Sequence, residues 1–116
     1  MTPGVDTQLQ AGFSIACINP PLGTRMVGWM SRDFERGCDA IHDSIHVRAL
    51  YLEQDLSRAL ILSLDLCFVD REFSDGLKAR LHRETGFSAE EILVTCTHSH
   101  AGPSASSWGV MRDVPK

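Results

Sequence analysis

The 116-residue sequence predicts an α/β fold, a mixed sheet containing one βαβ unit. Three observations carry this. Residues 59–66 and 92–97 are short apolar runs of strand length. Between them, residues 70–85 repeat apolar side chains at helical spacing. A further strand-like run, 45–53, is separated from 59–66 by only a turn-compatible Gln54-Asp55-Leu56-Ser57, so those two strands pair antiparallel.

The elements follow in order. Residues 11–17 alternate, with Phe13, Ile15 and Cys17 on one face, which reads as a short strand. Asn19-Pro20-Pro21-Leu22-Gly23 stops it, because proline cannot donate to a ladder. Residues 18–44 have no clean period and read as a long rim loop near a site. The strand 45–53 follows, then 59–66, whose near-continuous apolarity predicts burial on both faces. Asp70 can cap a helix that runs to Thr85. Phe73, Leu77 and Leu81 form its apolar stripe, and Gly86 is placed to end it. Its acids come early (Asp70, Glu72) and its cations late (Lys78, Arg80, His82, Arg83), as the helix dipole favours. Ser88-Ala89-Glu90-Glu91 has a capping-box pattern before the strand 92–97. Strand, helix and strand at this spacing make the last two strands parallel.

Composition bounds the function. A hydrophobic content of 43% and a charged content of 22% are those of an ordinary globular domain. A net charge of −4 without a basic cluster argues against nucleic-acid binding. No apolar run approaches the roughly 20 residues of a transmembrane helix. Met1 to Gln10 are polar, lack a secretory apolar core and read as disordered, which leaves the cytoplasm as the default location. Cys17, Cys38, Cys67 and Cys96 contain no CxxC, against a zinc ribbon or a thioredoxin motif. Cys17, Cys67 and Cys96 sit in apolar runs and read as buried free thiols. Glycine-rich phosphate loops and a GxSxG elbow are absent from the sequence, and nothing marks Ser104, Ser106 or Ser107 as activated.

The chemistry concentrates in Thr97-His98-Ser99-His100-Ala101-Gly102-Pro103. Alternate residues of an extended chain share a side, so His98 and His100 aim two imidazoles into one space. Such a pair at a strand end is a way to begin a metal site, and zinc suits imidazole. One of the pair suffices as a ligand, the other steadying a bound water or an oxyanion. The βαβ unit places Asp65 at the same sheet edge, where open α/β folds bind ligands. Asp65 reads as a third ligand, as a partner orienting an imidazole, or as a carboxylate capping backbone amides. His42 and His46 read as loop or surface residues.

The ordered set of Asn19-Pro20-Pro21-Leu22-Gly23, Val27-Gly28-Trp29, Arg36-Gly37, His46-Val47-Arg48-Ala49-Leu50, Ser63-Leu64-Asp65-Leu66 and Thr95-Cys96-Thr97-His98-Ser99-His100-Ala101-Gly102-Pro103 resembles the N-terminal part of the neutral/alkaline ceramidase family. The resemblance covers roughly residues 11–108 and implies a zinc-dependent amidase that cleaves the N-acyl bond of ceramide, a lipid-like substrate. It implies that His98 is a zinc ligand and that His100 lies by the zinc-bound water; Asp65, placed at the same edge by the βαβ unit, is read as a support for them. It also admits secretion. The family's remaining ligands (a histidine, a glutamate and a tyrosine) and its active-site serine come later than anything in this sequence. One long helix also covers only one face of the sheet. The sequence therefore reads as the front portion of a larger catalytic domain, inactive alone; the alternative is a small domain that buries its open face by self-association. Two other functions compete: a binding module using the Trp29 and Trp108 loops, and a related metallohydrolase acting on a smaller amide or ester.

Overall fold

The computed structural model describes residues 8–29, 33 and 35–105. The alternating runs pair into a four-stranded sheet. Its strands are β1 (Gln10–Cys17), β3 (His46–Gln54), β4 (Ser57–Leu64) and β5 (Ile92–Cys96), in the order β1-β3-β4-β5. β1 with β3 and β3 with β4 are antiparallel, whereas β4 and β5 are parallel. The parallel pair is joined by α1 (Arg71–Thr85), which completes the βαβ unit. Of the first ten residues, Met1 to Thr7 lie outside the described residues, and Gln10 already opens β1.

The helix begins and ends where its capping chemistry dictates. The Asp70 carboxylate accepts from the Phe73 amide at 2.8 Å. Gly86 takes the left-handed conformation (φ 79°) and its amide donates to the His82 carbonyl. Leu77 and Leu81 pack onto a core of Leu60, Leu62, Phe87 and Ile92. Phe73 completes the stripe in sequence but is left 39% exposed.

α1 covers one face of β4 and β5 only. Leu60, Leu62 and Leu64 are buried beneath it, while Ala59, Ile61 and Ser63, on the other side of the pleat, are only half-buried. The expectation that 59–66 is buried on both faces is thus corrected: no described layer lies over the second face. The register draws an apolar row across that face, Phe13–Leu50–Ile61–Leu93. Its ends are the most exposed, Phe13 at 68% and Leu93 at 58%. Cys17 belongs to this face and is exposed, not buried as its apolar run suggested, because β1 is an edge strand.

The segment 18–44 is irregular but tied down. Within it β2 (Met26–Val27) pairs antiparallel with β6 (Gly102–Pro103), just past the histidine pair. Val27 is 2% exposed and anchors this ladder. Gly23 and Cys38 are joined through backbone bonds, Gly23 N–H to Cys38 O and Cys38 N–H to Thr24 O. Gly37 passes so near Gly23 that a Cβ would lie 2.0 Å from the Gly23 carbonyl oxygen.

Candidate metal centre

The site is built where the parallel ladder runs out. Past the last paired residues, Leu64 and Cys96, the Thr97 amide still donates to Leu64 O and the His98 amide to Leu66 O. His98 then turns into the left-handed region, with φ 66°. The turn carries its imidazole over the chain leaving β4. There His98 Nδ1 lies 2.8 Å from the Cys67 carbonyl oxygen and 3.6 Å from Cys67 Sγ. A carbonyl can only accept, so Nδ1 carries a proton, and in the neutral ring Nε2 is the nitrogen that offers a lone pair. This is how a ligating histidine is usually oriented.

His100 is placed from the other side. Gly28, at φ 116°, comes so close that a Cβ there would lie 2.6 Å from His100 Cα, so only glycine fits. Trp29 meets the His100 ring edge-on, with centroids 5.5 Å apart. The two imidazoles themselves stand edge to face at 4.5 Å. One donor atom each from Cys67, His98 and His100 lies within 4.8 Å of the others. Cys67 is buried, His100 half-buried and His98 exposed, so the cluster opens to solvent on the His98 side.

Asp65 stands beside this cluster and outside it. Its carboxylate accepts from the His46 amide (2.9 Å), the Arg48 guanidinium (2.9 Å) and the Thr97 hydroxyl (3.2 Å). Its side chain is 16% exposed. Burial alone would raise its pKa, but the His46 amide, Arg48 and Thr97 outweigh that and hold it below the usual carboxylate range. Of the three readings the sequence left open for Asp65, its contacts are those of a carboxylate gathering backbone and side-chain donors. It reaches the histidines through Thr97, the residue before His98. His42 is exposed and pairs with Asp43, as expected of a loop histidine; His46 is instead half-buried at the start of β3, where its amide donates to Asp65 and its ring Nδ1 lies 3.9 Å from the same carboxylate.

A cleft of about 860 Å³ adjoins the strand ends. Asp65, Thr97 and Ser99 are in its lining, and Met26, Ile41 and Ile45 add apolar surface. The two imidazoles are not in its lining, but Thr97 and Ser99 flank His98 directly. Trp108, Ser106 and Ser107 lie outside the described residues.

Sequence reasoning did not single out Cys67 or Arg48 as site residues. Both were within reach of it. Continuing the register Leu64↔Cys96 two residues further brings Leu66-Cys67 alongside His98. Arg48 shares a strand face with His46, and the register sets it opposite Ser63, one pleat from Asp65.

The fold is shared with the N-terminal portion of a neutral ceramidase from Pseudomonas aeruginosa. The TM-score is 0.78 at 23% identity, over 92% of this chain and 18% of that one. A solved ceramidase complexed with C2 matches with the same TM-score and identity, over 92% of this chain and 17% of that one. At this identity the likeness is one of fold, and the chain spans less than a fifth of the length of these ceramidases. No protein-family model matches the chain, and no curated protein matches it in sequence.

Proposed function

We propose that this chain supplies the first imidazoles of a zinc-dependent amidase centre whose substrate is a ceramide-like N-acyl amide. The observation that carries the reading is His98 at the carboxyl edge of the sheet, with its Nδ1 proton fixed on the Cys67 carbonyl and Nε2 left as the donor. The donor chemistry fits: neutral imidazole oriented through its second nitrogen is a zinc ligand. Zinc, when bound, supplies a nucleophilic water near neutral pH and polarises an amide carbonyl. The chain's own residues supply orientation and hydrogen bonding. His100, seated by Gly28 and Trp29, faces the same space and hydrogen-bonds the attacking water or the developing oxyanion. Asp65 is a positioning residue that holds Thr97, and so the start of the His98 turn. The cleft beside Thr97 and Ser99 receives the acyl amide. Two imidazoles do not by themselves complete a catalytic zinc centre, so these 116 residues alone are expected to hydrolyse no substrate.

Two measurements on the purified chain test this. Zinc affinity should fall in His98→Ala; an unchanged affinity would remove His98 as a ligand and sink the reading. Titration with a soluble short-chain N-acyl sphingosine should shift the backbone amide resonances of Thr97 and Ser99. Shifts confined to the far end of the sheet would put the substrate elsewhere.

A further inference from the structure

The open edge of the sheet takes no part in the proposed centre. Among the described residues no strand lies beyond β1, and all eight residues of β1 are exposed. We infer that β1 is a dimerisation strand: it pairs antiparallel with β1 of a second copy of this chain, about a twofold axis at Ser14, and joins two four-stranded sheets into one. The inference uses none of the residues of the metal centre and stands or falls independently of it.

Which backbone groups are free follows from the register. The Ile18 amide donates to the Ile45 carbonyl. Continuing the β1–β3 register makes Ile18 and Ile45 direct partners, so they are a hydrogen-bonded pair and Cys17–His46 is a non-hydrogen-bonded one. The two kinds alternate along an antiparallel ladder. The even-numbered residues of β1 therefore turn their N–H and C=O toward β3, and Ala11, Phe13, Ile15 and Cys17 turn theirs outward. One self-pairing uses all four: Ala11 opposite the partner's Cys17, and Phe13 opposite the partner's Ile15. Four N–H groups on each copy then donate to the other, a ladder of eight bonds. Sliding one strand by two residues in either direction leaves one of the four without a strand partner on each copy.

The side chains agree with that register. It sets Phe13 against the partner's Ile15 on the open face, an aromatic–β-branched pair of the kind that stabilises neighbouring strands, and the twofold axis repeats it. In the single chain these two residues are 68% and 53% exposed. The apolar row Leu93–Ile61–Leu50–Phe13 then runs on into the partner's Ile15. Sheet edges are ordinarily blunted by charge, proline, a bulge or shortness. β1 has none of these: Gln-Ala-Gly-Phe-Ser-Ile-Ala-Cys is uncharged and free of proline, and it meets β3 one to one over all eight residues. A strand without charge also meets no like-charge repulsion when it faces its own copy. The opposite edge, β5, is shorter, at five residues. One strand's edge is a small interface against the roughly 800 Å² per partner of a standard one, so the dimer is weak and reversible.

Sedimentation equilibrium of the purified, reduced chain at concentrations up to about 1 mM should show a monomer–dimer equilibrium. Ile15→Lys should weaken it by at least about 10-fold, because a lysine there blunts the edge. Leu93→Lys, on the same face but at the far edge, should leave it within a few-fold. The reverse pattern would mean that two sheets stack face to face, which overturns the edge pairing. The register has its own readout. At Ser14 the two copies meet as a non-hydrogen-bonded pair with Cα atoms about 4.5 Å apart, within disulfide reach. In a Cys17→Ser background, Ser14→Cys should oxidise to a linked dimer, and Ala16→Cys, which faces the partner's Gly12, should not. Equal cross-linking of both, or of neither, overturns the inference. So does a wild-type chain that stays monomeric: slow amide exchange at Phe13 and Ile15 in that monomer would mean that another segment of the chain holds the edge, and fast exchange that the edge stays open. The wild-type equilibrium decides the question even if a variant does not fold.

Discussion

The two ends of the parallel pair β4–β5 carry one device in two settings. At the amino end, Glu91 accepts from Arg58 at 2.7 Å and from the Ser88 amide at 2.9 Å. At the carboxyl end, Asp65 accepts from Arg48, the His46 amide and Thr97. Each is a carboxylate that gathers an arginine and a backbone amide, and each is pulled below its ordinary pKa. They differ in what lies next to them. Arg58 also donates to the Gly86 carbonyl and stacks over the Phe87 ring at 4.3 Å, so that cluster closes onto the helix return and the core. The Asp65 cluster ends on Thr97, and the next residue is His98. A perturbed carboxylate with an arginine therefore marks a joint in the fold; function has to be argued from what the joint holds out to solvent.

The comparison can be broken most forcefully at Gly28. A Cβ there meets His100 backbone while the residue keeps φ 116°, so Gly28→Ala should cost roughly 3 kcal/mol in chemical denaturation and abolish metal binding at the carboxyl end. A variant of wild-type stability and affinity would mean that the β2 segment does not seat His100. Next in size is Asp65→Asn, which strips the charge that Arg48 and the His46 amide share. It should cost about 1–3 kcal/mol and weaken zinc binding through the loosened Thr97. Glu91→Gln should lower the unfolding midpoint and leave zinc affinity untouched, since its bonds serve only the helix return. Equal effects of these two variants on zinc would erase the contrast between the ends.

The smallest effect is a pH dependence. Glu91 is held down to about 2, chiefly by Arg58 and the Ser88 amide, against an ordinary value of 4.5. Its contribution is therefore present above 4.5 and lost as the pH falls through about 2. Asp65 behaves with the same sign relative to its ordinary 3.8. The stability gap between wild type and Glu91→Gln should close as acid is added; a gap that persists at the acid limit would deny the Arg58 pairing its role.

Much of the scaffold was legible because period and punctuation agreed. The Asp70 cap, the Leu77/Leu81 stripe and the Gly86 stop define α1, and a four-residue turn fixes β3 against β4. The sequence named the two histidines as neighbours, but by a route the structure does not use: β5 ends at Cys96 and His98 is left-handed, so the rings meet, 4.5 Å apart, through that turn and the seating of His100 on Gly28 and not through strand alternation. What escaped depends on contacts between distant segments. Met26-Val27 and Gly102-Pro103 are too short to show a period, and only their pairing makes them strands. The exposure of Cys17 could not be read from an apolar run, because the run does not say that β1 stands at the sheet's edge. Cys67 emerged from register, not composition.

The left-handed backbone of His98 has a consequence for anyone who engineers this chain. A side chain with a Cβ pays roughly 1–2 kcal/mol to sit there, a cost that glycine escapes and asparagine reduces. A library selected for thermal tolerance alone will drift toward those residues at position 98, and its most robust winners will have lost the imidazole on which the proposed chemistry depends.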